Sequence, residues 1–122
     1  MMETVCEKPQ THTMRLRTEP FLQIKSGKKR VELRLADKKR SSIRIGDSVI
    51  FVHTENEAQT LRVRVTALCR YENFDEVRID FDWSELGFAA GEESLGERMR
   101  AYYSDSDVQT YGVLAICIER EN

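Results

Sequence analysis

The sequence predicts a compact β-barrel decorated by short helices, a mainly β member of the α+β class. Several short segments alternate apolar and polar residues with a period of two, as half-buried strands do. Short segments with helix start and stop signals lie between them. The 122 residues suffice for one domain with a hydrophobic core, and no repeat or linker divides them. We therefore expect one domain over residues 13–122, preceded by a loose tail at 1–12.

The first third of the chain predicts two strands around one short helix. TMRLR, residues 13–17, is a candidate for a short first strand. Pro20 can occupy the first helical position and Gly27 the position just past the helix end, so the residues between them are predicted to be helical. RVELRL, residues 30–35, alternates strictly and predicts the second strand.

The middle of the chain predicts two longer strands after a basic loop. Residues 36–43 are polar and basic, which indicates a loop or a single helical turn. A Gly-Asp turn at 46–47 precedes an apolar strand at 48–53, and the turn ENEAQ leads into a strand at 60–68. The alternation of this last strand predicts an inward row of apolar side chains: Leu61, Val63, Val65 and Ala67.

The last part of the chain predicts short helices and one central strand. Residues 72–77 and 82–88 are short helical segments around aromatic residues. Ser94, with Glu97 three residues later, forms a capping-box pattern that begins another helix. Residues 111–120 are apolar on both faces, which is typical of a strand that is covered on both sides.

The strand at 30–35 has one apolar and one charged face. Its alternation predicts that three apolar side chains point into the barrel: Val31, Leu33 and Leu35. The charged side chains then project together from the other face: Arg30, Glu32 and Arg34. Glu32 is two residues from each arginine, close enough to pair with one of them. Lys29 joins this face if the turn at Gly27 resets the direction of the chain.

A cluster of this composition can hold a polar or anionic ligand. Arginine supplies a planar fork that fits phosphate or carboxylate. Glu32 could accept a hydrogen bond from a base, or it could hold Arg34 in place. The alternative, on spacing alone, is a ladder of surface ion pairs that contributes little energy.

Charge is distributed unevenly along the chain. Residues 25–44 contain nine basic residues against two acidic ones, whereas residues 72–107 contain eleven acidic residues against three arginines. A basic stretch attracts phosphates, so further positions within it are candidates for ligand contact: Lys28, Lys38 and Arg40. A solvated surface of mixed charge is the alternative.

The composition argues against several classes of site and location. The three cysteines, Cys6, Cys69 and Cys117, are far apart and odd in number, which argues against a disulfide framework. With only two histidines besides, we expect neither a metal site nor a cofactor. No apolar run approaches the roughly 18 residues of a membrane span, and the first residues lack the apolar region of a secretory signal. We therefore expect a cytoplasmic protein.

Residues outside the charged strand are weaker candidates for function. Trp83 could stack on a base, although an aromatic cover over the barrel end is the favoured interpretation. Of Tyr102 and Tyr103, one is expected in the core, and the other could cover a cleft. His53 is expected at a strand edge rather than in catalysis, and Asp47 is expected to fix its turn through side-chain hydrogen bonds.

Four residues around the charged strand form a motif. Gly27, Lys29, Glu32 and Arg34 make up G-x-K-x-x-E-x-R, which resembles the signature of the ASCH domain family (activating signal cointegrator homology). The resemblance continues in landmarks farther along the chain: Asp37, IGD at 45–47, YENF at 71–74 and YGV at 111–113. It covers about residues 14–119, nearly the whole predicted domain.

The resemblance implies a PUA-like fold, a small β-barrel with peripheral helices, and a role at RNA or nucleotides. Signature residues line a cleft of the barrel in the family, so the resemblance implies a cleft that recognises a polar or anionic RNA, nucleotide or nucleoside ligand. The residues expected to contact the ligand are those of the motif and the basic positions around it: Gly27, Lys28, Lys29, Arg30, Glu32, Arg34, Lys38 and Arg40.

Two other functions stay open on the sequence. Some family members hydrolyse the acetyl amide of N4-acetylcytidine, and others are regarded as ribonucleases on single-stranded RNA. A threonine nucleophile occupies the position of Glu32 in those amidohydrolases. A hydrolase built from this chain would instead use Glu32 as general base and Lys29 or Arg34 to stabilise the oxyanion, with Glu92 or Glu93 as a further acid. The remaining alternative is a protein-interaction module that uses the uneven charge.

Overall fold

The computed structural model describes residues 8–121 of the chain, and within them the fold has five strands and five short α-helices. The strands are β1 (Thr11–Leu16), β2 (Val31–Leu35), β3 (Ser48–His53), β4 (Thr60–Tyr71) and β5 (Val113–Arg120). The helices are α1 (Thr18–Lys25), α2 (Phe74–Asp80), α3 (Trp83–Leu86), α4 (Leu95–Met99) and α5 (Asp105–Tyr111). A single 3₁₀ turn, Arg40–Ser42, lies within the predicted basic loop.

All five strands belong to one sheet with the order β1-β3-β4-β5-β2. β1 and β3 are parallel, and the other neighbouring pairs are antiparallel. The sheet curls into a half-barrel whose two edges are β1 and β2. This mixed sheet with peripheral helices is the small α+β barrel that the sequence predicts.

The sheet separates two hydrophobic cores. The inner core fills the concave face and is closed by two side chains of α1, Phe21 and Ile24. The outer core lies between the convex face and helices α2 to α4, where Phe74, Val77 and Leu86 are buried. β5 supplies both cores, since Leu114 and Ile116 face inward while Val113 and Ala115 face the helices. The prediction of a strand covered on both faces is confirmed.

The apolar side chains of β2 face the opposite way from the prediction. Val31, Leu33 and Leu35 do share one face, but they belong to the outer core under the helices. Glu32 pairs in register with Ile116 of β5, whose side chain lies in the inner core. Neighbours across an antiparallel pair share a face, so Glu32 points to the concave side. A layer of helices outside the sheet takes up the apolar face and leaves the acid inside.

A β-bulge in β4 overturns the predicted inward position of Ala67. The register passes from Val65 opposite Ile118 to Ala67 opposite Cys117, which leaves one extra residue in β4. An extra residue reverses the alternation beyond it. Leu68 consequently packs against the inner core, and Ala67 lies on the other face.

Most predicted helix signals occur where they are expected. The Ser94 hydroxyl accepts a hydrogen bond from the Glu97 amide and begins α4. Gly27 has φ of +83° just after α1, a conformation that favours glycine. α1 begins at Thr18, two residues before Pro20. α5 was not predicted, although Ser104 caps it in the same way as Ser94 caps α4.

Asp47 anchors the start of the sheet. Its carboxylate accepts hydrogen bonds from the backbone amides of Gln10 and Arg44, each at 3.0 Å, and contacts the His12 ring at 2.7 Å. Burial opposes its ionisation, but these hydrogen bonds outweigh it and lower the pKa of Asp47. The expected turn-fixing role is thus confirmed. Of the predicted tail, residues 1–7 lie outside the described residues, as does Cys6, whereas Thr11 and His12 belong to β1.

Candidate ligand-binding site

The turn after α1 brings Lys29 to the charged face of β2. The chain leaves the helix through Gly27, and the Lys29 amide then donates to the Gln23 carbonyl at 3.1 Å. The aliphatic part of the Lys29 side chain lies against Gly87, where an added Cβ would come within 2.8 Å of Lys29 Cδ. A glycine at 87 therefore leaves room for the lysine to reach inward.

Lys29, Glu32 and Arg34 form one connected group, which we call the Lys-Glu-Arg cluster. Lys29 Nζ is 3.0 Å from Glu32 Oε1, and Arg34 Nη2 is 3.1 Å from Glu32 Oε2. Glu32 Oε1 also accepts a hydrogen bond from the Leu33 amide at 3.1 Å. Both carboxylate oxygens are therefore occupied by donors of the chain itself.

The cluster is buried and carries one excess positive charge. Lys29 is 8% exposed and Glu32 is 5% exposed, while the Arg34 side chain is 16% exposed. Burial opposes ionisation of Glu32, but the charges and hydrogen bonds of Lys29 and Arg34 outweigh it and lower the pKa of Glu32. Two cations thus share one carboxylate. An excess charge in a poorly solvated position is costly without a further partner, so the cluster favours an anion.

Arg34 connects the two edges of the half-barrel. Its Nη2 donates to the backbone carbonyl of Arg15 in β1 at 2.9 Å, besides contacting Glu32 of β2. We call the line between β1 and β2 the seam. Backbone hydrogen bonds join each pair of neighbouring strands in the described sheet, whereas the Arg34 side chain spans the seam between the two edge strands. The cluster therefore lies at the opening of the concave face.

Two tyrosines and an arginine flank the seam. Tyr103 stacks on Phe74 at 5.6 Å between ring centroids, and it is partly buried. Burial raises the pKa of Tyr103, so its hydroxyl stays protonated and can donate. Tyr102 is 54% exposed, with the Arg17 guanidinium 5.3 Å from its ring centroid. One tyrosine is thus largely packed and the other open, as the sequence predicts.

Arg40 is the second arginine at this end of the molecule. Its charge and that of Asp37 act on the Tyr103 hydroxyl together with those of Arg34 and Glu32. Arg40 Nη1 is 3.6 Å from Asp37 Oδ2, too long for a hydrogen bond. Its Nε is buried and has no hydrogen-bond partner within residues 8–121. A buried unsatisfied donor costs about 1–3 kcal/mol, which an acceptor would recover once the Arg40 side chain turned toward it.

The other predicted site residues do not join the cluster. Arg30 is exposed and lines a separate groove of about 720 Å³ that reaches Lys29 but neither Glu32 nor Arg34. Lys28 and Lys38 are exposed, as are both candidate acids of the loop before α4, Glu92 and Glu93. The structure therefore assembles the three motif side chains and leaves the two loop glutamates in solvent.

Other side chains of the protein already pack against the Trp83 ring. The Arg78 and Arg98 guanidinium groups lie 4.4 Å and 4.1 Å from its ring centroid, and Phe88 packs edge-on at 6.3 Å. A base has no free face of this ring to stack on, so the interpretation as a structural cover is favoured. His53 is buried, stacks on Phe21 at 4.9 Å and contacts the Thr18 hydroxyl at 2.7 Å.

Two contributors to the site were missed at the level of sequence. The Arg15 carbonyl and the Gly87 space come from elements far from the motif. Tyr103 was expected only as one of two tyrosines for the core or for a cleft cover. The YENF segment is the one sequence signal near them, because its phenylalanine, Phe74, supports the Tyr103 ring. Within residues 8–121, no group of three or more His, Cys, Asp or Glu residues could hold a metal ion. No helix of that part is long and apolar enough to cross a membrane.

Comparisons with known proteins agree with the fold and the motif. A family model described as ASCH domain matches residues 14–121. The crystal structure of the hypothetical protein PH0355 is 30% identical, with a TM-score of 0.75, and the match covers 92% of this chain and 99% of that chain. The solution structure of protein PF0455 from Pyrococcus furiosus is 31% identical, with a TM-score of 0.62 and coverage of 90% and 96%. No curated protein matches the chain.

Proposed function

The chain belongs to the ASCH domain family, and we propose that it binds single-stranded RNA with the Lys-Glu-Arg cluster at the seam as its recognition site. The family is linked in general to RNA binding. RNA supplies both the phosphates and the polar base edges that such a cluster can recognise.

The observation that carries the proposal is the excess positive charge of the buried cluster. Lys29 and Arg34 share the single carboxylate of Glu32. All hydrogen bonds of the Arg34 guanidinium to other residues of 8–121 run through Nη2. The other nitrogens of the fork, Nη1 and Nε, are therefore available to a ligand, and a guanidinium binds phosphate oxygens in this way.

The same geometry favours binding over base catalysis. A general base needs a free lone pair within hydrogen-bond reach of the proton that it removes. Lys29, Arg34 and the Leu33 amide take three of the roughly four acceptor positions of the Glu32 carboxylate. The lowered pKa of Glu32 also makes it a weak base. The bound carboxylate holds the two cations in place for a ligand instead.

The proposal is tested by titrating the protein with a labelled single-stranded RNA at about 50 mM and about 200 mM salt, so that the salt dependence of the affinity is measured. The affinity should fall with salt, with a slope of about −0.7 per neutralised phosphate. Arg34→Gln should weaken binding about tenfold or more, because it removes charged hydrogen bonds from a poorly solvated site. Arg64→Gln is the matched control, since Arg64 is exposed and pairs with Glu119 instead.

Two outcomes would contradict the proposal. The first is that the wild-type protein binds no RNA at low salt. The second is that Arg34→Gln and Arg64→Gln weaken binding equally, which would assign binding to general surface charge. Release of acetate from N4-acetylcytidine by a protein that binds no RNA would favour the hydrolase interpretation.

A further inference from the structure

Arg40 lies outside the G-x-K-x-x-E-x-R motif, yet its side chain has an unused binding group. We propose that Arg40 and Arg34 together form a phosphate subsite for one internal phosphodiester of the bound strand. The inference rests on the proposed function, because it names the part of the RNA that is held at the seam.

The first support is the unfinished hydrogen bonding of Arg40. Its Nε is buried without an acceptor among the described residues, and its Nη1 is 3.6 Å from the Asp37 carboxylate. The Asp37 carboxylate also accepts from the Arg40 backbone amide at 3.0 Å, which fixes the start of the 3₁₀ turn. The backbone of Arg40 is therefore held firmly, while its guanidinium keeps donors for an oxygen that the protein does not supply.

The second support is the position of the subsite. Arg34 is the penultimate residue of β2 and Arg40 begins the 3₁₀ turn of the loop that follows, so both arginines lie at the same end of β2. The charges of both also act on the hydroxyl of Tyr103. Arg34 keeps Nη1 and Nε unused in the described structure. Two guanidinium groups and a protonated phenol at one place supply several donors for a tetrahedral oxyanion.

The third support is the net charge. Lys29, Arg34 and Arg40 face the two carboxylates Glu32 and Asp37, which leaves one positive charge. An internal phosphodiester carries one negative charge, whereas a terminal phosphomonoester carries about −1.5 to −2 at pH 7. The single excess positive charge of the subsite matches the single negative charge of an internal phosphodiester.

The subsite also predicts where the neighbouring base lies. Tyr102 directly precedes Tyr103 and is exposed, with Arg17 against its ring. Aromatic side chains beside a basic groove are the usual stacking surfaces for bases of single strands. A strand whose phosphate is bound between Arg34 and Arg40 would therefore stack an adjacent base on Tyr102.

The test uses a short single-stranded RNA in which one neutral methylphosphonate linkage is moved along the strand. In the wild-type protein, one position should lower the affinity about tenfold more than the others, since charged hydrogen bonds are lost there. Arg40→Gln should weaken binding of the unmodified strand by part of that factor, because Arg34 still contacts the phosphate. The special position should then cost clearly less affinity in that variant than in the wild type.

Two further variants separate geometry from charge. Lys39→Gln removes the same charge from the exposed neighbouring residue and should change the affinity much less. Arg40→Lys keeps the charge but loses the fork, so it should behave like Arg40→Gln. Melting temperatures of the Arg40 variants should not fall below that of the wild type, because the guanidinium makes no hydrogen bond within the described residues.

The possible failures are distinguishable. If Arg34→Gln loses RNA while Arg40→Gln matches Lys39→Gln, the phosphate subsite is wrong and the proposed function stands. If the wild type binds no RNA, both are wrong. If Arg40 matters only for a strand with a 5′-phosphate, the bound group is a terminal phosphomonoester and the inference of an internal linkage is overturned.

Discussion

The Glu32 carboxylate is enclosed by other groups of the protein. It is held by two cations and a backbone amide, at a depth where little water reaches it. Such buried ion pairs add little net stability, because the cost of desolvation offsets the attraction. Removing one member is nevertheless costly, since the remaining charges lose their partner. Stability alone therefore does not explain the cluster.

Glu32→Gln should destabilise the fold by about 3–5 kcal/mol, because it leaves buried Lys29 without a counter-charge. Urea unfolding at neutral pH measures the free energy of unfolding. Glu57→Gln is a suitable control, since Glu57 pairs with Arg15 at 2.8 Å on the surface and should change stability little. Equal midpoints for Glu32→Gln and wild type would mean that the cluster is hydrated and not buried.

The motif predicted the three side chains of the cluster and a pair between Glu32 and one arginine, but not their contacts with other parts of the chain. Spacing shows that Glu32 and Arg34 share a face, and the glycine turn explains how Lys29 joins them. It does not show that Arg34 reaches the Arg15 carbonyl, since that contact depends on how far the sheet curls. The local sequence likewise does not predict that Glu92 and Glu93 lie in solvent.

The second strand illustrates a limit of alternation as a signal. A period of two predicts which side chains share a face, and that prediction is confirmed for Val31, Leu33 and Leu35. It does not predict which face lies inside a curled sheet. That choice follows from the helices α2 to α4, whose apolar side chains need the convex face.

Leu33→Asp should unfold the domain, because it places an unpaired charge in the outer core, where Leu33 is 5% exposed. Arg30→Asp, three residues earlier on an exposed position, should leave the melting temperature nearly unchanged. Thermal unfolding of the two variants provides the comparison. Equal losses would mean that the faces of β2 are assigned wrongly.

Irregular features were the elements hardest to predict. The β-bulge of β4 inserts its extra residue between Val65 and Ala67, inside a pattern that alternates without interruption. α5 has seven residues and buries none of them fully, so it has no apolar periodicity to detect. The bulge is set by tertiary packing, whereas the serine caps of α4 and α5 are local and can be read from the sequence.

At the scale of the molecule, the lowered pKa values of two carboxylates make the stability of the fold depend on pH. The pKa values of Glu32 and Asp47 lie below their usual values of 4.5 and 3.8 in the folded state. Their contribution to stability is fully present above those usual values, and it is lost as the pH falls through the lower folded-state values.

The free energy of unfolding should therefore be nearly constant from pH 7 to about pH 5 and should decline steadily below about pH 4.5. Urea unfolding across this range gives the profile. Asp47→Asn should reduce the decline, whereas Glu57→Gln should retain it, because the Glu57 pair is exposed. A profile that is flat down to pH 3 would contradict the lowered pKa values.

The strand order has a consequence for the moment at which the molecule becomes functional. β2, which carries the cluster, is hydrogen-bonded within the described sheet to β5 alone. During synthesis, the residues of the site therefore leave the ribosome long before the strand that holds them in place. β5 supplies side chains to both cores, so neither core can be completed before residues 113–120 are available. The Lys-Glu-Arg cluster is thus assembled only when the whole domain is available to fold.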